Sequence, residues 1–230
     1  MKTIGLIGGT SWQSTLDYYR IINQFTADTL GGHNSAKIIL NSINFAEVEI
    51  FMKGSDFNGL ANFLIQNAKM VEKAGADMLL LCANTMHLIA KEVQQSIHIP
   101  LVHIADATVE ELMKANIRSV GLLGTLITME QQFFSSRIRD KGIEVHIPEE
   151  TDRKFIHNII FNELFYGIRN PKSKEQFLSI ISKLKGKGAE GIILGCTEIP
   201  LLIAQGDVNA PLFDTTKIHC MAAVKLALAS

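Results

Sequence analysis

With 230 residues, 47% hydrophobic and 20% charged, the chain has the make-up of one large folded domain or two small ones, and disorder is excluded. A formal net charge of −1 gives no field for a polyanion, so neither nucleic acid nor an anionic membrane surface is an expected partner. Three cysteines without a CxxC spacing support neither a secreted disulfide framework nor a zinc site.

Apolar runs such as 78–83 stop short of the ~18 residues of a membrane span, and the first nine residues lack the pattern of a signal peptide. The expectation is a cytoplasmic protein with free thiols. In chain order, strands are predicted over 3–7, 37–43, 77–81, 101–104, 119–123, 144–147 and 191–194. Helices are predicted over 15–30, 57–73, 86–95, 107–114, 129–141, 153–165, 174–185 and 216–229. Strands that read as continuous Ile/Leu/Val runs, each followed by an amphipathic helix, define an α/β protein with parallel sheet covered on both faces.

An internal repeat divides this pattern. Gly5-Leu6-Ile7-Gly8-Gly9-Thr10 is echoed by Gly121-Leu122-Leu123-Gly124-Thr125. Gly75-Ala76-Asp77, the apolar run after it and Cys82-Ala83-Asn84-Thr85 are echoed by Gly188-Ala189-Glu190, a second apolar run and Gly195-Cys196-Thr197-Glu198. Units of this length are two related α/β halves rather than a solenoid. The expected division is residues 1–99 with 206–230, and residues 100–205.

Ligands of open parallel sheets bind beyond the carboxyl ends of the strands. Those ends carry Gly8-Gly9-Thr10-Ser11, Cys82-Ala83-Asn84-Thr85, Gly124-Thr125 and Gly195-Cys196-Thr197-Glu198, a set suited to a carboxylate-bearing ligand. Gly and Thr also serve simply as turn and cap residues, and that alternative stays open. A dinucleotide fingerprint is absent, because Gly5 falls inside the first strand and no GxGxxG or GxxxxGK[ST] occurs. Cys196 falls at a strand-to-helix junction, where N–H dipoles are expected to lower a thiol pKa; a small buried hydrophobe is the alternative. Cys82 lies one place earlier in its repeat, so strand alternation turns it to the opposite face, into the core, and Cys220 is core as well. His87 and Trp12 stay outside the catalytic set, each as readily a local structural residue as a pocket one.

Taken together, Ile4-Gly5-Leu6-Ile7-Gly8-Gly9-Thr10-Ser11-Trp12, Asn84-Thr85-Met86-His87 and Gly195-Cys196-Thr197-Glu198 resemble the aspartate/glutamate racemase family, in its aspartate racemase branch, over essentially the whole chain. The resemblance implies two pseudo-symmetric α/β domains with the active site between them, a homodimer, an amino-acid substrate and no cofactor. It further implies two cysteines on opposite sides of the substrate, one taking the α-proton and the other returning one. It places Cys196 at one catalytic position and Ala83 at the position of the second acid/base. Thr10, Ser11, Asn84, Thr85, Thr125 and Thr197 become substrate-binding candidates.

Ala83 departs from the pattern, since it carries no proton, although members of this branch can carry Thr there. A second departure concerns the far end of the substrate. Where relatives offer basic or polar groups, this chain has Met52 and Ile168, which fit a less acidic amino acid. The leading reading is an amino-acid racemase; a single-cysteine decarboxylase of the same fold and an impaired amino-acid-binding protein are the alternatives.

Overall fold

The computed structural model describes residues 1–229. It divides into two compact units: Met1–His103 together with the chain from His219 onward, and Ile104–Ile218. The first unit holds β1 (Ile4–Gly8), α1 (Trp12–Leu30), β2 (Ile38–Ser42), α2 (Phe45–Lys53), α3 (Phe57–Lys73), β3 (Met78–Leu81), a 3-10 turn (Thr85–Ile89) and α4 (Ala90–Ser96). Its sheet is parallel in the order β2-β1-β3, and a single bridge from Leu79 to Leu101 extends it. The second unit holds α5 (Ile104–Lys114), β4 (Ser119–Gly124), α6 (Leu126–Glu130), α7 (Gln132–Arg139), β5 (Glu144–His146), α8 (Glu150–Asn162), α9 (Pro171–Gly186), β6 (Gly191–Gly195) and β7 (Leu212–Asp214). Its four strands are parallel in the order β5-β4-β6-β7. The last helix, α10 (Thr215–Leu228), begins in the second unit and ends in the first.

Alternation along the strands sorts the core of the first unit into two layers. Ile4, Leu6, Met78, Leu80 and Cys82 pack with Tyr18 and Ile22 of α1 and with Cys220, Ala223 and Val224 of α10. Ile7, Leu79 and Leu81 face the other way, onto Leu60, Leu64, Ala68 and Val71, the apolar stripe of α3, with Ala83 partly buried on that same layer. In the second unit Leu123, Ile192, Leu194 and Cys196 meet Ile156 and Ile160 of α8 and Phe177, Ile180 and Leu184 of α9.

The repeat has a physical basis in the turns ahead of β3 and β6. Gly75 and Gly188 both adopt positive φ, 98° and 101°, which a residue with a Cβ rarely tolerates. The acid two residues further on pins the start of the neighbouring strand: Asp77 Oδ2 accepts from the Thr3 N–H at 2.6 Å, and Glu190 Oε2 from the Arg118 N–H at 2.8 Å. The bridge at Leu101 answers to the β6–β7 pairing, where Ile192 pairs with Leu212.

Several elements differ from the sequence expectation. Residues 101–104 form no strand beyond the Leu101 bridge, because Ile104 already opens α5 and is fully buried there. β7 and α2 are additional to the expected elements, and Gln131, extended at φ −84° and ψ 152°, splits the helix predicted over 129–141. The division also falls elsewhere, at His103/Ile104 and Ile218/His219, because β7 pairs with β6 and so keeps that part of the chain with the second sheet. Among the described residues no helix is long and apolar enough to cross a membrane.

Candidate active site

In the first unit the end of β1 turns through Gly8-Gly9-Thr10-Ser11 into α1. Gly9 has φ +88°, and a Cβ there would collide with the backbone of Ile43. The Gly9 N–H donates to Thr15 Oγ1 at 2.8 Å, and the Thr15 hydroxyl donates to the Ser11 carbonyl at 2.9 Å. Ser11 caps α1, its Oγ accepting from the Ser14 N–H at 3.2 Å. The Ser14 hydroxyl then donates to the Cys82 carbonyl at 2.9 Å, tying this loop to the end of β3. Ser11 is thus spent largely on capping, whereas Thr10 Oγ1 is buried with no hydrogen-bond partner.

Beyond β3, Ala83, Asn84 and Thr85 enter the 3-10 turn, with Asn84 buried and Ala83 partly so. His87 Nδ1 lies 3.0 Å from the Ala83 carbonyl and donates to it, since a carbonyl only accepts. This histidine, outside the catalytic set expected from sequence, holds the backbone of the residue-83 position. Cys82 is fully buried, and burial alone pushes its thiol far above the ordinary range, so it is a core residue. Trp12, at the start of α1, is 62% exposed.

In the second unit Thr125 caps the short α6, its Oγ1 accepting from the Thr128 N–H at 3.2 Å. Cys196 lies directly after β6 and is 8% exposed. Its Sγ donates to Glu198 Oε2 at 3.0 Å, and Thr197 Oγ1 donates to the same oxygen at 2.6 Å. The structure therefore joins Cys196 and Thr197 through a third residue, Glu198, which belongs to the motif but not to the expected site. An acid two places after a strand-end cysteine is the signal that sequence offers for it.

The expected lowering of the Cys196 pKa is overturned. The thiol is raised well above its ordinary value, first by burial and then by the Glu198 charge, while the N–H groups of Thr197 and Glu198 oppose this more weakly. The segment beyond β6 is three residues of 3-10 turn, Ile199–Leu201, and supplies no long helix whose dipole would offset the burial. Met52, in α2, is partly buried against the α3 layer, and Ile168 is half exposed beyond Gly167, which is left-handed at φ 73°.

The fold is thus two parallel α/β units whose strand ends are polar and marked by glycine, with Cys196 directly beyond β6. The family model described as Asp/Glu/hydantoin racemase matches residues 7–223, and the chain belongs to that family. It is 46% identical to a solved Yersinia pestis protein proposed to be an Asp/Glu racemase, over the full length of both chains, with a TM-score of 0.94. It is 40% identical to an aspartate racemase homologue of Pyrococcus horikoshii, again over both full lengths, with a TM-score of 0.87. The broad-specificity amino-acid racemase RacX of Bacillus subtilis is 22% identical over 230 residues, 98% of each chain.

Proposed function

We propose that the chain is an amino-acid racemase in which Cys196 carries the α-proton and residue 83 occupies the place of the opposite acid/base. The observation that carries this reading is the thiol at the end of β6, hydrogen-bonded to a carboxylate, at the repeat position matched by Ala83. Racemisation requires a proton removed from one face of a carbon and delivered to the other. Thiol chemistry can do this without a cofactor when the carbanion charge spreads into the substrate's own carboxylate, held by N–H groups and hydroxyls. The unpartnered Thr10 hydroxyl, with Asn84, Thr85 and Thr125, supports that carboxylate-holding role. With Ala83 in the second position the two enantiomers are handled unequally, and α-proton exchange outpaces inversion. Met52 and Ile168 favour a side chain less acidic than aspartate.

The protein acts as a cytoplasmic homodimer in this reading. Trp12, Leu16 and Tyr19, 62%, 58% and 54% exposed along one face of α1, support an association surface, and three free thiols support a reducing compartment. A second reading, decarboxylation, draws on one observation: Cys196 rests as a protonated thiol, the form that would protonate a planar carbanion left by departing CO2.

The test is incubation with L- and D-amino acids in D2O, following α-deuterium and enantiomer ratio. Cys196→Ser is expected to abolish exchange and Cys82→Ser to leave most of it. The reverse pattern refutes the assignment. CO2 release from a geminal dicarboxylate, without exchange of any amino acid, selects the second reading.

A further inference from the structure

The loop that carries Thr125 is held by a histidine on the neighbouring helix. α6 packs on α8, and its first residue, Leu126, has a backbone N–H with no acceptor inside the helix, as at the start of any helix. His157 of α8 supplies one: its Nδ1 lies 3.3 Å from that N–H and accepts from it. Nδ1 therefore carries a lone pair, and the neutral ring bears its hydrogen on Nε2. The Phe161 ring, one turn further along α8, lies 4.8 Å from the imidazole at 59° and limits where it can turn. The peptide so held joins Thr125 to Leu126. The Thr125 carbonyl accepts from the Met129 N–H at 3.0 Å, and Thr125 Oγ1 accepts from the Thr128 N–H at 3.2 Å. Those two bonds within α6 contain no group that titrates near neutral pH. The bond from α8 does, since a protonated Nδ1 becomes a donor facing a donor.

We propose that His157 is a positioning residue for substrate binding: its neutral ring fixes the peptide that orients Thr125, and protonation at Nδ1 releases that peptide and weakens the hold on the substrate carboxylate. This deepens the α-proton reading above and rests on it, through the carboxylate-holding role given there to Thr125. On acidification a solvent proton joins the Nδ1 lone pair, the bond from Leu126 is lost, and a cation then faces the free N–H groups at the start of α6, which repel it. Burial already lowers the His157 pKa below its ordinary value, and the Glu130 charge opposes this more weakly. Glu130, the last residue of α6, faces the ring; on α8, Arg153 stands one turn earlier and pairs with Glu130 at 2.8 Å. The ring is therefore neutral at neutral pH, the state in which the loop is held. In the first unit the matching loop is held by Thr15, whose hydroxyl accepts from the Gly9 N–H at 2.8 Å and does not titrate. The sensitivity to acid belongs to the second unit's loop.

Two variants separate the acceptor from the charge. His157→Asn sets an amide oxygen where Nδ1 stands, so it accepts but does not titrate; His157→Phe keeps a ring and removes the acceptor. The first readout needs no turnover. In nitrogen-labelled protein the Leu126 amide resonance is expected to move with the His157 Cε1 proton through one common midpoint below pH ~6.5, and to stay still over the same range in His157→Asn. The second readout is KM for α-deuterium incorporation, followed from pH ~8 to pH ~5. In His157→Phe, KM is expected to stand ~3- to 10-fold above that of the unsubstituted protein at the alkaline end, the effect of one neutral hydrogen bond, with kcat moved less. KM of the unsubstituted protein is expected to climb toward the Phe value as pH falls, while His157→Asn keeps the low value throughout. A Leu126 amide that ignores the His157 titration overturns the proposal, and so does an acid rise in KM equally steep in His157→Asn, or a loss confined to kcat. If His157→Phe does not fold, the comparison of His157→Asn with the unsubstituted protein decides. If the unsubstituted protein exchanges no amino acid, the α-proton reading fails, while the Leu126 amide still decides whether His157 holds the loop.

Discussion

Lowering the pH should destabilise the fold of this protein, with a separable contribution from His219. Its ring is fully buried on α10. Nε2 lies 2.7 Å from the Val102 carbonyl and Nδ1 lies 2.8 Å from the Tyr18 hydroxyl. A carbonyl only accepts, so Nε2 carries the hydrogen; Nδ1 then holds the lone pair and accepts from Tyr18. Both nitrogens are satisfied by the neutral ring. A second proton would turn a donor against Tyr18 and place charge beside the His87 ring, whose centroid is 5.5 Å away, and His103 lies beyond that at 4.7 Å from His87. Burial first, then the His87 charge, push the His219 pKa down to about 3, with the Val102 carbonyl opposing.

In the unfolded chain the same imidazole titrates near ~6.5. Between these values the unfolded state binds more protons, so the contribution to stability is complete above pH ~6.5 and declines as pH falls toward the folded value. The slope is ~1.4 kcal/mol per pH unit, and the loss reaches ~2 kcal/mol at pH 5. Urea unfolding at pH 7.5, 6 and 5, run in parallel on the protein and on His219→Gln, isolates the term as a difference of slopes. The Cε1 proton of His219, followed by NMR, should stay at its neutral shift down to pH 5. Parallel stability loss in the two chains, or a resonance titrating near pH 6.5, refutes the reasoning.

Two further perturbations address the strand ends. Gly9→Ala should cost more than ~2 kcal/mol in urea unfolding, since the backbone at φ +88° disfavours any Cβ and the new methyl meets the Ile43 backbone, which cannot swing away; a loss under ~1 kcal/mol would show that the loop relaxes freely. Ala83→Cys should raise racemisation at least ~10-fold and even out the initial rates from the two enantiomers, a floor beneath the ~10²–10⁴ that a positioned acid or base supplies; no gain in either direction with binding intact would refute the missing-hand assignment.

Interactions local to the chain account for the elements that are legible in its sequence. The helix over Phe57–Lys73 is legible because Leu60, Leu64, Ala68 and Val71 repeat at helical spacing behind Asp56, which caps it by accepting from the Gly59 N–H at 2.8 Å. The buried strands are legible because both faces are covered, so their residues are apolar without interruption. α2 escapes because Val48 is its one fully buried residue, leaving no stripe to detect. β7 escapes because three residues after Pro211 become a strand only through pairing with β6, an interaction distant in sequence. At the site, the strand-end positions of Cys196 and Ala83 are visible in the repeat, but the state of the thiol depends on how deep it lies and on which way Glu198 turns, and neither leaves a periodic trace.

The same alternation decides which cysteine could ever have formed a symmetric pair. Residue 83 lies toward the α3 layer of its sheet, and Cys196 packs with α8 and α9 in its own unit. Cys82 points to the opposite layer with Cys220, and its counterpart in the repeat is Gly195, where a Cβ would stand 2.7 Å from the Leu123 carbonyl. A thiol moved by one residue along a strand is thus on the wrong side of the sheet, and its nearness in sequence to the Ala83 position confers no chemistry. The asymmetry deepens two residues further on, where Thr85 is the repeat counterpart of Glu198: one half has a thiol hydrogen-bonded to a carboxylate at these two positions, and the other has Ala83 and Thr85. In the proposed reaction the second unit therefore moves the proton. The first contributes the Thr10 hydroxyl and the Ala83 backbone that His87 holds in place, and a single added sulfur at residue 83 is the smallest change that would give it a proton of its own.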